Sequence, residues 1–155
     1  MQWILRTVLG LGVTFSSSLS VFAQTCNVTG TQPGKMALVM GNGGQLSSRP
    51  DQAPTAQLAS VTLTCTGGMQ LSIDSPVAQG STPSTATSGV QVWDGSPLSG
   101  GRLLTQVTGS PTNISLSASP TDRNLFFNLY ADSVPGTLLT PGSYAYSIKL
   151  TITPQ

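Results

Sequence analysis

Pro141-Gly142-Ser143-Tyr144-Ala145-Tyr146-Ser147-Ile148-Lys149-Leu150-Thr151-Ile152-Thr153-Pro154-Gln155 is the stretch that decides the fold. Tyr144, Tyr146, Ile148, Leu150 and Ile152 fall on one parity, and Ala145, Ser147, Lys149, Thr151 and Thr153 on the other. Successive side chains of a strand point to opposite faces, so this pattern predicts a long strand with one apolar and one mostly polar face. Pro141-Gly142 is a turn pair that launches it, and Pro154 lacks the N–H needed to continue a ladder. Such a strand needs neighbours on its edges and a second layer over its apolar face.

The rest of the chain offers those neighbours as further short alternating runs. Ala59, Val61, Leu63 and Cys65 alternate with Ser60, Thr62 and Thr64; Gly67-Gly68 is a hairpin signal; Met69, Leu71 and Ile73 alternate beyond it. Leu125, Phe127, Leu129 and Ala131 alternate with Phe126, Asn128 and Tyr130. Shorter strands are predicted at Lys35 to Met40, Val90 to Trp93, Arg102 to Thr108 and Asn113 to Ala118. Gln24 to Gly34 reads as a short lead-in, and Gly41 to Pro54 as a loop. Ser75 to Gly89, rich in Ser, Thr and Pro, reads as an exposed connection. No stretch keeps a helical apolar period, and no repeat of 20–50 residues is visible. Seven or eight short strands in one domain, residues 24–155, predict an all-β Greek-key sandwich.

Residues 1–23 read as a signal peptide. Arg6 supplies the positive charge, an apolar run follows, and Val21-Phe22-Ala23 is a small-residue cleavage site, placing the cut between Ala23 and Gln24. As a membrane span the run is too short and is interrupted by Ser16-Ser17-Ser18, so no span is expected after cleavage. The expected destination is the periplasm, the cell surface or the medium. In an exported chain with two cysteines, Cys26 and Cys65 are expected to form a disulfide. It closes a loop of about 40 residues and contributes roughly 4 kcal/mol on the chain-entropy account.

Composition narrows the chemistry. Beyond residue 23, five basic residues balance five aspartates, so no basic patch for nucleic acid is expected. The chain has no His and no Glu, which removes the commonest general bases and metal ligands. Asp74, Asp94, Asp122 and Asp132 sit at strand ends and read as turn-capping residues. There is no Gly-x-Ser-x-Gly elbow, phosphate loop or cysteine cluster. The expectation is a non-enzymatic protein without metal or other cofactor.

Several of these pieces resemble the spore coat U family and the related pilin subunits of archaic chaperone–usher pili. They are a first cysteine near the mature start, the run Ala59 to Cys65 with its small-residue turn, the strand Leu125 to Tyr130, and Pro141-Gly142-Ser143-Tyr144 opening a terminal Thr- and Ile-rich strand. The resemblance implies an immunoglobulin-like sandwich lacking its last strand, with a disulfide joining its first two strands. It also implies a periplasmic chaperone, an usher, and other pilin or coat subunits as partners through strand addition. On that reading Lys35 to Met40 and Ser143 to Thr153 flank an open groove lined by Met36, Leu38, Ile148, Leu150 and Ile152. Such pilins carry a donor strand before the first cysteine. Here only Gln24 and Thr25 would remain, so the subunit is expected to accept a strand but give none, as a tip or cap. Ser75 to Gly89 folding over the groove is the self-complete alternative. The rival function is a free-standing module recognising carbohydrate or protein, with Trp93, Tyr130, Tyr144 and Tyr146 as stacking residues.

Overall fold

A computed structural model describes residues 24–155; the predicted signal peptide and Ala23 lie outside them. Among the described residues every regular element is a β-strand except one 3₁₀ turn, Pro97–Ser99, and no helix is long and apolar enough to cross a membrane. The strands are β1 (Cys26–Gln32), β2 (Ala37–Val39), β3 (Asn42–Ser47), β4 (Ala59–Cys65), β5 (Met69–Ile73) and β6 (Val77–Ala78). They continue with β7 (Thr87–Asp94), β8 (Arg102–Val107), β9 (Thr112–Leu116), β10 (Asp122–Asp132), β11 (Tyr146–Ser147) and β12 (Leu150–Pro154). All pairings between strands are antiparallel.

The larger sheet is built around β10, the eleven-residue strand that holds Leu125 to Ala131. One edge of β10 pairs with β7, which pairs with β8. Its other edge changes partner partway: Asp122 to Phe127 lie against β4, and Tyr130 to Asp132 against β3. At the change Ser48 replaces a ladder rung. Its N–H donates to the Leu129 carbonyl (2.9 Å), and its hydroxyl accepts from the Leu129 N–H (2.8 Å). β1 lies outside β4, and β2 outside β3. The smaller sheet is β9–β5–β12, and β11 with β6 continues the β12–β5 pairing.

The inner faces of the two sheets share one core. Leu63, Val90, Val92, Val107, Leu125 and Phe127 come from the larger sheet, and Met69, Leu71, Ile73 and Leu116 from the smaller. Here the strand parity does what the alternation predicts: Leu63, Leu71, Ile73 and Leu125 are fully buried, whereas Thr64 and Asn124 face out. Removing a large aliphatic chain from water contributes about 1.5–3 kcal/mol, so these positions anchor the fold. Cys26 and Cys65 are direct cross-strand partners and form the disulfide, tying β1 to β4.

Three segments depart from the sequence expectations. Gln24 to Gly34 is not a mere lead-in, because it contains the seven-residue strand β1. Its Asn, Thr, Gly and Gln residues show no apolar parity, and its position rests on the disulfide and the ladder to β4. Gly41 to Pro54 contains β3, reached through a turn with Gly41 at φ 74°, a conformation glycine adopts without steric cost. Ser47 and Ser48 there are buried, which their polarity hides; both hydroxyls donate to Asn128 Oδ1, at 3.1 and 3.2 Å. The final strand is interrupted at Ile148-Lys149 and splits into β11 and β12, although the alternation of half-buried and exposed side chains runs unbroken from Tyr144 to Thr153.

Three of the four aspartates read as turn caps bridge to other strands instead. Asp94, itself partly exposed, forms an ion pair with the buried Arg123, whose guanidinium also donates to the Ser117 and Ser119 carbonyls. Asp122 and Asp132 accept hydroxyl hydrogen bonds from Thr64 (2.8 Å) and Thr87 (3.1 Å) on neighbouring strands.

Candidate functional site

Among the strand edges left without a partner, which include those of β2, β8 and β9, two border the same groove. β1 is hydrogen-bonded to β4 alone, and the terminal segment pairs only on the side of β5 and β6. The sharing of that one side is visible in the register. Leu150 lies opposite Ile73, the Asp74 N–H donates to the Lys149 carbonyl (3.0 Å), and Tyr146 lies opposite Ala78. Between the two free edges lies a groove of about 670 Å³.

The floor of the groove is the inner face of β4 and β10, through Ala59, Val61, Phe127 and Leu129. One wall is Thr31 to Met36. There the chain crosses tightly onto the approach to β4, with Lys35 and Gln57 exchanging two 2.8 Å backbone hydrogen bonds. A side chain at Gly34 would come within 2.9 Å of the Ala59 backbone nitrogen, so only glycine permits this approach. The other wall is Tyr144, Tyr146, Ile148 and Leu150. Both tyrosines are fixed by their hydroxyls: Tyr144 donates to the Thr140 carbonyl (2.6 Å), and Tyr146 bonds Thr85 Oγ1 (3.0 Å). With the polar ends satisfied, the rings serve as apolar wall.

Burial marks the same place. Leu63, Leu71 and Leu125 are fully enclosed, whereas Ala59, Val61, Leu129, Ile148 and Leu150 have the same inward parity and remain half-buried. The half-buried residues surround the groove, so the two sheets lack cover there. Met36, Ile148 and Leu150, named from the sequence, line it. Ile152, opposite Leu71, and Leu38, 55% exposed on β2, are not among the lining residues. The wall on the β1 side is therefore Thr31 to Met36 rather than Lys35 to Met40. The alternation gave no sign of this, because Thr31 to Lys35 contains no apolar pattern.

Ser75 to Gly89 does not close the groove. Val77-Ala78 is used to extend the paired side of the terminal strand, and no residue of that segment lines the cavity. The four candidate stacking aromatics do not form one site either. Tyr144 and Tyr146 are in the groove, while Trp93 and Tyr130 lie on the face of the larger sheet turned from the core. There the Arg49 guanidinium sits 5.6 Å from the Trp93 ring centroid, and Gln106 donates to the Tyr130 hydroxyl (2.8 Å). Tyr130 lies across Gly89, and its burial there raises the phenol above its ordinary pKa. Among the described residues no three carboxylates or cysteines converge as a metal site.

No protein-family model matches the chain, and no curated protein matches it.

Proposed function

We propose that the chain is an immunoglobulin-like Greek-key sandwich lacking one strand, an exported structural subunit of a bacterial surface assembly that is completed by a strand from a partner. A single observation carries the reading: an apolar groove between two unpaired, facing strand edges. Each free edge presents unsatisfied N–H and C=O groups, and the half-buried Ala59, Val61, Leu129, Ile148 and Leu150 keep apolar surface in water. An inserted extended segment satisfies both at once. Its backbone bonds the two edges, and its alternate side chains cover the floor. Partners of this kind are a periplasmic chaperone and usher, and neighbouring pilin or coat subunits. The disulfide is consistent with an oxidising compartment. No catalysis is part of this reading.

If cleavage follows Ala23, Gln24 and Thr25 alone precede β1, too few to form a donor strand, and the subunit occupies a tip or cap position. N-terminal sequencing of the exported protein decides that point.

The test of the groove is thermal. The exported form is mixed with a synthetic peptide of alternating apolar and hydroxyl side chains, and its melting temperature is followed. At a hundredfold excess over Kd, binding to the folded state alone adds about 2.7 kcal/mol, a rise on the order of 10 °C for a domain of this size. No rise, together with cooperative unfolding of a well-folded monomer, would end the proposal.

A further inference from the structure

The groove also specifies the charge and the direction of its occupant. This inference rests on the strand-accepting reading above. Among the described residues lining the groove Lys35 alone is charged, and it takes part in no ion pair. It follows the Gln32 end of β1, remote from the disulfide, and pairs with Gln57; the opposite end, at Thr31 and Leu150, is uncharged and leads toward the disulfide. A cation set at the mouth of an apolar, otherwise neutral groove favours a carboxylate on whatever fills it.

Direction follows from the two free edges. β1 starts at the disulfide end and β12 finishes there, so the two run antiparallel to each other. An occupant is then parallel to one and antiparallel to the other. Along the groove the terminal segment runs the further, from Tyr144 to Leu150, against Thr31 and Gln32 of β1, and antiparallel pairing is the more stable per residue. An occupant antiparallel to it enters from the disulfide end and brings its C-terminal end to Lys35. From Tyr144 to Leu150 the wall spans roughly 20 Å, which fits about seven extended residues with four alternate side chains facing in.

We infer that the partner segment is an alternating apolar strand of about seven residues, followed immediately on its C-terminal side by an acidic residue that pairs with Lys35.

Three peptides test this, capped at both ends to remove terminal charges. Each has the same alternating aliphatic and hydroxyl core, with an aspartate after it, a lysine after it, or an aspartate before it. Affinities for the intact exported protein are measured by calorimetry at low and high salt. The expected order places the peptide with the trailing aspartate about threefold or more tighter than the trailing lysine, as for exposed ion pairs. The preference should shrink in 1 M salt. Lys35→Gln should abolish it and Lys35→Glu reverse it, both with unchanged circular dichroism. Equal affinities for all three peptides, or a preference untouched by Lys35→Glu, would overturn the inference while leaving strand acceptance standing. A preference for the leading aspartate would overturn the direction. Failure of all three to bind the wild-type protein would overturn strand acceptance and this inference with it.

Discussion

The two long sides of the sheet pair are made from similar strands and end differently. On one side β8 and β9 are joined by a short turn with Gly109 at φ 79°, and their inward residues Val107 and Leu116 are 1% and 6% exposed. On the other side β1 and the terminal strand face each other with no turn between them, and Ile148 and Leu150 stay half-buried although they share the parity of the core. Identical alternation thus has two outcomes. Where the chain itself crosses from sheet to sheet the core closes; where it does not, the same apolar face becomes a groove.

The largest effect that tests this contrast comes from the disulfide. Reducing Cys26–Cys65, or replacing both residues by serine, should cost about 4 kcal/mol, because the unfolded chain regains the freedom the closed loop denied it. The loss should be local first: amide exchange in Cys26–Gln32 should accelerate far more than in β8, because β1 has one ladder partner and otherwise exposed side chains. Equal acceleration of β8 would show that the two sides are not independent.

Next in size is a matched pair of truncations. Leu63→Ala, at a fully buried site, should cost about 2–5 kcal/mol, measured by urea unfolding. Ile148→Ala, on the open side, should cost less, about 1–2 kcal/mol, because water already reaches part of its side chain. A bound donor peptide should raise the cost at Ile148 and leave that at Leu63 unchanged. Equal costs without peptide would mean that the groove is already covered in solution. Thr62→Ala, at the outward neighbour of Leu63, should stay under about 1 kcal/mol and so checks the register.

The smallest effect concerns the loop that carries Ser48 to the groove. Arg49 pairs with Asp51 at 2.5 Å and lies against Trp93, and its hydrogen bond holds the Asp51 carboxyl below its ordinary value of 3.8. A carboxylate with a lowered folded pKa stabilises fully above 3.8, and that contribution is lost as pH falls through the folded value. Asp51 is 44% exposed, so solvent screens the pair and the difference between wild type and Asp51→Asn should be under about 1 kcal/mol at neutral pH. It should vanish well below pH 3.8 in urea titrations. A difference that persists at low pH would show that Asp51 acts through packing rather than charge.

Much of this protein is determined locally and can be read along the chain. The alternation in Ala59 to Cys65, Met69 to Ile73, Leu125 to Ala131 and Tyr144 to Thr153 sets which side chains face in, because a strand offers only two faces. Two cysteines in a chain with a leader-like start led to their pairing for a similar reason: there was no third candidate. β1 and β3 were decided by tertiary structure alone. Their Asn, Gly, Thr, Gln and Ser residues gain strand geometry only from a partner's ladder, from the disulfide, or from Asn128 waiting beneath Ser47 and Ser48. The groove is of that second kind too. Ile148 and Ile152 carry the same side chain on the same parity of the same stretch, and both lie half-buried against the core, yet only Ile148 lines the opening. What separates them is the neighbour across the gap, and a strand's own sequence holds no record of which of its edges the rest of the chain leaves unpaired.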